Sequence, residues 1–172
     1  MFRITNTACV EAPAHVVWAH LARLDAVHLW TDVIHRSYMA DDLVCGVGAE
    51  RVCELAGRRT LHERVIVWEE GRSFTYISTD APWMKLARNR WSVDAVGARA
   101  LATSEAELEL RGGWFGEMLG HLLMPLLRLF LPNPLARFKY WVEEGRPYAG
   151  SARSLPVPPV ACRRSRDGGV ER

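Results

Sequence analysis

The feature that most constrains the fold of this chain is a series of six short segments between residues 33 and 110 in which apolar and polar residues alternate. Alternation with a period of two is typical of a β-strand with one buried face. The segments are separated by only a few residues, rich in Gly, Asp and Pro, and such short links favour antiparallel neighbours. The predicted strands are Val33–Met39, Ala49–Leu55, Arg59–Trp68, Arg72–Thr79, Lys85–Val93 and Ala100–Leu110.

A further strand and two helices are predicted before this series. Residues Phe2–Val10 alternate in the same way as the later strands. Apolar residues then recur at helical spacing in Pro13–Arg23, where the proline suits the first helical turn. A short second helix is expected around Ala26–Trp30.

The pattern changes again after Gly113. Apolar residues follow helical spacing from Met118 to Phe130 and from Leu135 to Val142, and the intervening Pro132-Asn133-Pro134 predicts a break or kink. The predicted order is therefore β-αα-β6-α, which is an α+β fold with about seven strands and a long, interrupted C-terminal helix.

Composition and charge narrow the function classes. The 172 residues are 49% hydrophobic and 24% charged, which is typical of one folded domain rather than a disordered chain. Residues 1–149 are assigned to this domain, and residues 150–172, rich in Pro and Arg, to a disordered tail. The net charge is −2 for residues 1–145 and +4 for residues 146–172, so the domain gives no electrostatic reason to bind nucleic acid specifically.

The sequence also carries expectations about location and about metals. No apolar run is long enough to span a membrane, and the N-terminus lacks the features of a secretion signal, so a cytoplasmic location is expected. The cysteines contain no C-x-x-C pair and are expected to be reduced. No H-E-x-x-H motif occurs among the histidines, and neither a metal nor another cofactor is predicted. The four cysteines are Cys9, Cys45, Cys53 and Cys162.

Three segments carry a family resemblance. Residues 11–21 read EAPAHVVWAHL, residues 61–69 read LHERVIVWE, and residues 138–148 read FKYWVEEGRPY. In this order they resemble the opening A-P-x-x-V-W-x-x-L, the central E-x-V-x-x-W/F strand and the closing L-K-x-x-x-E-x-G-x-P-Y of the polyketide cyclase/dehydrase and lipid-transport group. That group belongs to the START-like, Bet v 1-like superfamily, also called SRPBCC.

The resemblance implies a helix-grip fold. In this fold a curved antiparallel sheet wraps around the long C-terminal helix, and the space between them is an apolar pocket wherever side chains do not fill it. The superfamily includes enzymes, carriers and receptors on one scaffold, so the resemblance implies much more about fold than about function.

Candidate site residues follow from strand alternation. Glu63 shares the phase of the apolar Leu61, Val65 and Val67, and a carboxylate on an inner face needs a partner or a raised pKa. Glu63 is therefore the candidate acid, the alternative being a hydrated or Arg-paired position near the cavity mouth. The other candidate ligand-binding residues are Tyr76, Asn89 and Trp91 on strands, Trp83 and Met84 on a loop at the mouth, and Met118 and Leu122 on the helix.

Three functional hypotheses remain. The leading one is a binder of a small hydrophobic molecule, such as a lipid, a polyketide or an isoprenoid-like molecule. The second is an enzyme of the polyketide cyclase or dehydratase type, for which the sequence offers one acid, Glu63, and no partner base. The third is a membrane-associated lipid or quinone carrier, in which the apolar stripe Leu119–Leu131 and the Arg-rich tail make weak contact with a bilayer surface. No oligomeric state is predicted.

Overall fold

Seven antiparallel strands in one sheet form the frame of the computed structural model, which describes residues 2–79, 84–111 and 134–162. The strands lie in the order β1-β7-β6-β5-β4-β3-β2, so that β1 and β2 are the two edges. This confirms the predicted antiparallel arrangement, with strand ends within three residues of the predicted ones. The bounds are β1 Phe2–Val10, β2 Ile34–Met39, β3 Glu50–Leu55, β4 Arg59–Glu69, β5 Ser73–Thr79, β6 Met84–Val96 and β7 Arg99–Leu110.

The helices lie close to their predicted positions. Helix α1 is Ala14–Leu21, and Pro13 immediately before it has the extended conformation of a cap residue. The predicted second helix is a 3₁₀ helix, η1, at Leu24–Leu29, and helix α2 is Pro134–Glu144. The predicted helical stripe Met118–Phe130 lies outside the described residues. No helix within the described ranges is long and apolar enough to cross a bilayer.

All three helices pack on one face of the sheet, which we call the inner face. Trp18 of α1 lies edge-on to Phe74, with ring centroids 6.3 Å apart. Trp30, directly after η1, lies 5.1 Å from Trp91 and 5.3 Å from Phe138 of α2. These aromatic rings are buried and join the helices to the central strands.

The start of the predicted tail differs from the expected disorder. Residues 159–162 lie along the outer side of β1, where the Cys9 N–H donates to the Pro159 carbonyl at 2.7 Å and the Thr7 hydroxyl donates to the Val160 carbonyl at 3.0 Å. Proline lacks an N–H but keeps its acceptor carbonyl, so a proline-rich segment can still satisfy donors of an edge strand. Composition alone gives no sign of these contacts, and the assignment of residues 150–172 to a tail stays a prediction.

The expected reduced state of the cysteines is wrong for two of them. Cys9 and Cys162 form a disulfide, with their Cα atoms 5.1 Å apart and 153 residues between them in sequence. Cys45 is free and exposed, and Cys53 is free and buried. The pairing depends on the docking of residues 159–162 against β1, which sequence spacing does not reveal.

Candidate functional site

Five polar or polarisable side chains on three neighbouring strands, four of them buried, form a cluster on the inner face, which we call the Arg51–Glu63 cluster. The strand register brings them together, because Arg51 is the cross-strand partner of Glu63, and Glu63 is the partner of Ser78. Residues two apart on a strand share a face, so Cys53 lies beside Arg51 and Tyr76 lies beside Ser78 on the same face. The cluster comprises Arg51 and Cys53 of β3, Glu63 of β4, and Tyr76 and Ser78 of β5.

An ion pair lies at the centre of the cluster. Arg51 Nε donates to Glu63 Oε2 at 2.6 Å, and the two side chains are only 5% and 7% exposed. Arg51 Nη1 also donates to the Leu24 carbonyl of η1 at 3.2 Å. The guanidinium carbon lies 4.8 Å from the centroid of the Tyr76 ring, within cation–π range. The pair therefore ties the sheet to η1.

Both oxygens of Glu63 accept hydrogen bonds. Ser78 Oγ donates to Oε1 at 3.1 Å, and Cys53 Sγ donates to Oε2 at 3.5 Å, beside the Arg51 contact. A guanidinium, a hydroxyl and a thiol therefore all donate to this one carboxyl group, and each of its oxygens has a partner.

Burial also fixes the protonation of the surrounding groups. Burial raises the pKa of the Cys53 thiol to about 12, and the negative charge of Glu63 adds to this effect. Burial raises the pKa of the Tyr76 hydroxyl for the same two reasons. For Arg51 burial acts to lower the pKa, but the attraction of Glu63 and the other neighbours outweighs it and the pKa is raised. Cys53 and Tyr76 are thus neutral and Arg51 is charged at any ordinary pH.

Neutral hydrogen-bonding groups continue across the inner face from the cluster. Burial and Glu63 raise the pKa of the Tyr76 hydroxyl, and Trp91, which lies beside Tyr76, acts to lower this pKa by a smaller amount. Asn89 is the cross-strand partner of Tyr76, and its Oδ1 accepts a hydrogen bond from Ser104 Oγ at 3.2 Å. The Trp91 ring contacts Trp30, so these polar ends adjoin the aromatic core.

The structure places four of the predicted site residues on one face. Glu63, Tyr76, Asn89 and Trp91 all have the phase assigned to them from the sequence, while their role in ligand binding stays a prediction. Met84 is the first residue of β6 and not part of a loop, because pairing with Leu110 of β7 extends the strand to it. The remaining candidates, Trp83, Met118 and Leu122, lie outside the described residues.

Sequence reasoning missed Arg51 and Cys53. The available signal was alternation within the predicted strand Ala49–Leu55, which places both side chains on the phase of the buried Ala49. An arginine on that phase, on the strand before the one that carries Glu63, indicates a buried partner for the carboxylate.

The opposite, outer face of the sheet carries a groove of about 470 Å³. Its walls contain charged side chains that pair with one another, including Arg3 with Glu107 and Arg90 with Glu105. Because these charges are largely satisfied across the strands, the groove offers less to a ligand than the inner face does. Within the described ranges, no group of three or more His, Cys, Asp or Glu side chains is arranged to hold a metal ion.

Comparison with known proteins identifies relatives of this arrangement. The family described as polyketide cyclase / dehydrase and lipid transport matches residues 1–138. A START superfamily protein from Mycobacterium smegmatis has a similar structure, with a TM-score of 0.63 and 15% identity, over 83% of this chain and 97% of that chain. No curated protein sequence matches the chain.

Two enzymes also have similar structures. The Zhui aromatase/cyclase from Streptomyces sp. R1128 has a TM-score of 0.62 and 17% identity, over 84% of this chain and 97% of that chain. Norcoclaurine synthase from Thalictrum flavum has a TM-score of 0.62 and 13% identity, over 84% and 95% of the two chains. At these identities the likeness shows the fold alone.

Proposed function

The chain belongs to the polyketide cyclase / dehydrase and lipid transport family, and on that premise we propose that it binds a small, largely apolar molecule on the inner face of its sheet. We infer the helix-grip arrangement for the whole domain, with the sheet wrapped around a C-terminal helix that includes Pro134–Glu144. The ligand then lies between that helix and strands β4 to β7.

The observation that carries this proposal is a row of neutral hydrogen-bonding groups set in an aromatic surface. Tyr76, Asn89 and Ser104 lie on three adjacent strands, beside the indole ring of Trp91. Ligand pockets are typically apolar with a few polar groups that fix orientation. This surface favours a ligand with an apolar body and a hydroxyl or carbonyl group.

Binding is favoured over catalysis by the contacts of Glu63. A general acid needs a proton, and a general base needs a lone pair that points at the substrate. Both oxygens of Glu63 are engaged by Arg51, Cys53 and Ser78. The similar aromatase/cyclase and norcoclaurine synthase show that this fold supports enzymes, but the one acid predicted from the sequence is occupied as a structural partner.

The first experiment is native mass spectrometry of the protein purified from its own host. We expect a retained small molecule of low polarity, whose mass gives the ligand class. Its affinity is then measured for Tyr76→Phe and for Tyr38→Phe, which makes the same change on the exposed edge strand β2.

The loss of one hydroxyl contact at Tyr76 is expected to weaken binding by about fivefold, since one hydrogen bond contributes about 1 kcal/mol. Tyr38→Phe is expected to leave the affinity unchanged. Equal affinities for the two variants would remove the inner face from the binding site.

Turnover separates the enzyme hypothesis from the binder. If the protein converts the retained molecule and Glu63 is the acid or base, Glu63→Gln lowers the rate by roughly 10²–10⁴-fold. A binder shows no conversion. The carrier hypothesis predicts instead that the protein delivers the same molecule to vesicles.

The cytoplasmic location stays a prediction, and the Cys9–Cys162 disulfide argues against it because disulfides persist mainly in oxidising compartments. Thiol labelling of the protein in its host cells before lysis measures the state of the two cysteines. A disulfide present in the cells would favour an extracytoplasmic location, whereas two free thiols would favour the cytoplasm.

A further inference from the structure

Exposed apolar side chains are concentrated near one edge of the sheet. Five of the nine large apolar side chains that are most exposed within the described ranges lie between residues 33 and 47, at 39% to 63% exposure. They belong to β2 and its flanking loops, and together we call them the β2 edge patch. Exposed apolar side chains concentrated in one region often mark a site where another molecule binds. The members are Val33, Tyr38, Leu43, Val44 and Val47.

The two edge strands of the sheet, β1 and β2, differ in whether another segment of the chain covers them. Along β1, the segment 159–162 supplies carbonyl acceptors and a disulfide, so that edge is covered. Along β2, no strand of the described ranges pairs with the outer side of Ile34–Met39. An open edge presents a row of backbone donors and acceptors that another strand can use.

Charges of opposite sign flank the centre of the β2 edge patch. His35 and Arg36 lie towards one end of β2, and Asp41 and Asp42 follow its other end, all of them exposed. The Arg36 guanidinium carbon lies 5.2 Å from the centroid of the Tyr38 ring, which holds the cation over the patch. Tyr38 therefore lies between a basic and an acidic pair, whereas Val33 precedes the basic pair and the other members of the patch follow the acidic pair.

We propose that the β2 edge patch is a self-association surface, through which two copies of the chain pair edge to edge about a two-fold axis near Tyr38. Such an axis places the same patch against itself in reverse order, so the basic pair of one copy faces the acidic pair of the other. The apolar side chains of the two patches then cover each other, with Tyr38 at the axis, and the two β2 strands satisfy each other's backbone groups. An anionic membrane fits less well, because Asp41 and Asp42 would face its negative charge.

The test is the oligomeric state of the full chain, measured by sedimentation equilibrium. All proteins carry Cys45→Ser, so that an intermolecular disulfide at this exposed thiol cannot imitate a dimer. We expect a concentration-dependent dimer. Arg36→Asp or Asp41→Arg alone places like charges across the axis, and each is expected to weaken dimerisation by at least about tenfold.

The decisive sample is an equimolar mixture of the Arg36→Asp and Asp41→Arg proteins. In a mixed dimer each acidic side chain at positions 36 and 41 meets a basic one of the other copy, so association is expected to return to the level of the parent protein. Asp94→Arg, an exposed change on β6, is the matched control and leaves the dimer intact. A monomeric parent protein, a dimer insensitive to both single changes, or a mixture as weak as its components would each overturn the proposal. A monomeric parent that sediments with phosphatidylglycerol vesicles would assign the patch to a membrane instead.

Discussion

Two Arg–Glu pairs on β3 and β4 have the same closest distance but different surroundings, and in one of them Glu50 Oε1 also contacts His62 Nδ1 at 2.9 Å. Arg51 faces Glu63 and Glu50 faces Arg64 at successive positions of the same register, so the two pairs point to opposite faces of the sheet. The closest N···O distance is 2.6 Å in both. The inner pair is 5% and 7% exposed, whereas Arg64 and Glu50 of the outer pair are 63% and 18% exposed.

This comparison shows that burial, more than distance, decides what an ion pair does. In the outer pair, water and salt screen each charge, and either side chain can lose its partner at little cost. In the inner pair, each charge is held away from water and depends on the other for its stability. The inner pair therefore makes the fold depend on the identity of both residues.

The largest expected effect concerns the two free cysteines, which differ in burial as the two ion pairs do: Cys53 is buried and Cys45 is exposed. Because burial and Glu63 raise the pKa of Cys53 to about 12, only about one in 10⁴ of these thiols is ionised at pH 8. Alkylation by iodoacetamide under native conditions should be at least about 10³-fold slower at Cys53 than at the exposed Cys45. The rates are read from peptide masses over time, with the unfolded protein as the control in which both cysteines react alike.

Next in size is the loss of the inner pair. Glu63→Gln leaves the Arg51 charge buried without its counter-charge, and the free energy of unfolding should fall by about 3–5 kcal/mol. Urea unfolding followed by tryptophan fluorescence measures this change. A fall below about 1 kcal/mol would mean that the inner pair is hydrated in solution.

A double variant tests whether the loss of stability comes from the unpaired charge. Arg51→Met combined with Glu63→Leu removes both charges and fills the space with apolar groups, so its stability should lie within about 2 kcal/mol of the parent protein. Recovery relative to either single change would show that the cost lies in the unpaired charge and not in the lost contact.

A smaller effect is expected for the outer pair. Glu50→Gln should change the free energy of unfolding by about 0–1 kcal/mol, because exposed ion pairs contribute little. The residual effect should shrink further when the ionic strength is raised to about 1 M, where the screening length falls to about 3 Å. A loss as large as that of Glu63→Gln would break the comparison.

The smallest expected effect is a pH dependence at the surface. Glu70 accepts hydrogen bonds from the indole N–H groups of Trp18 and Trp68, both at 2.8 Å, and these bonds lower its pKa. A lowered pKa stabilises the fold above the ordinary carboxyl pKa, and this contribution is lost as the pH falls towards the folded value. Glu70→Gln should therefore reduce stability near pH 7 and have a diminishing effect below about pH 4. A constant difference between pH 7 and pH 3 would contradict this linkage.

Strand alternation predicted the sheet well because a half-buried strand must alternate. It also placed Glu63, Tyr76, Asn89 and Trp91 on one face. It was wrong for Val67, because a bulge between Val65 and Val67 turns that side chain to the outer face. It did not reveal that Arg51 is the partner of Glu63, because register between strands depends on turns and bulges that the pattern does not encode.

The features that the sequence did not predict depend on contacts between distant parts of the chain. Cys9 and Cys162 are 153 positions apart in the sequence, and the residues next to them in the sequence do not distinguish them from unpaired thiols. The docking of residues 159–162 on β1 uses backbone carbonyls, which every sequence has. Docking of this kind leaves no mark in composition or periodicity.

The Cys9–Cys162 bond also determines how the molecule responds to mechanical load. It joins residues 153 positions apart, so everything from the end of β1 to residue 162 forms one covalent ring. A pull on the two chain ends is carried from residue 9 to residue 162 through the sulfur atoms and bypasses the backbone hydrogen bonds of β2 to β7. A protease that nicks any loop inside the ring likewise leaves a single molecule, whose two pieces separate only on reduction.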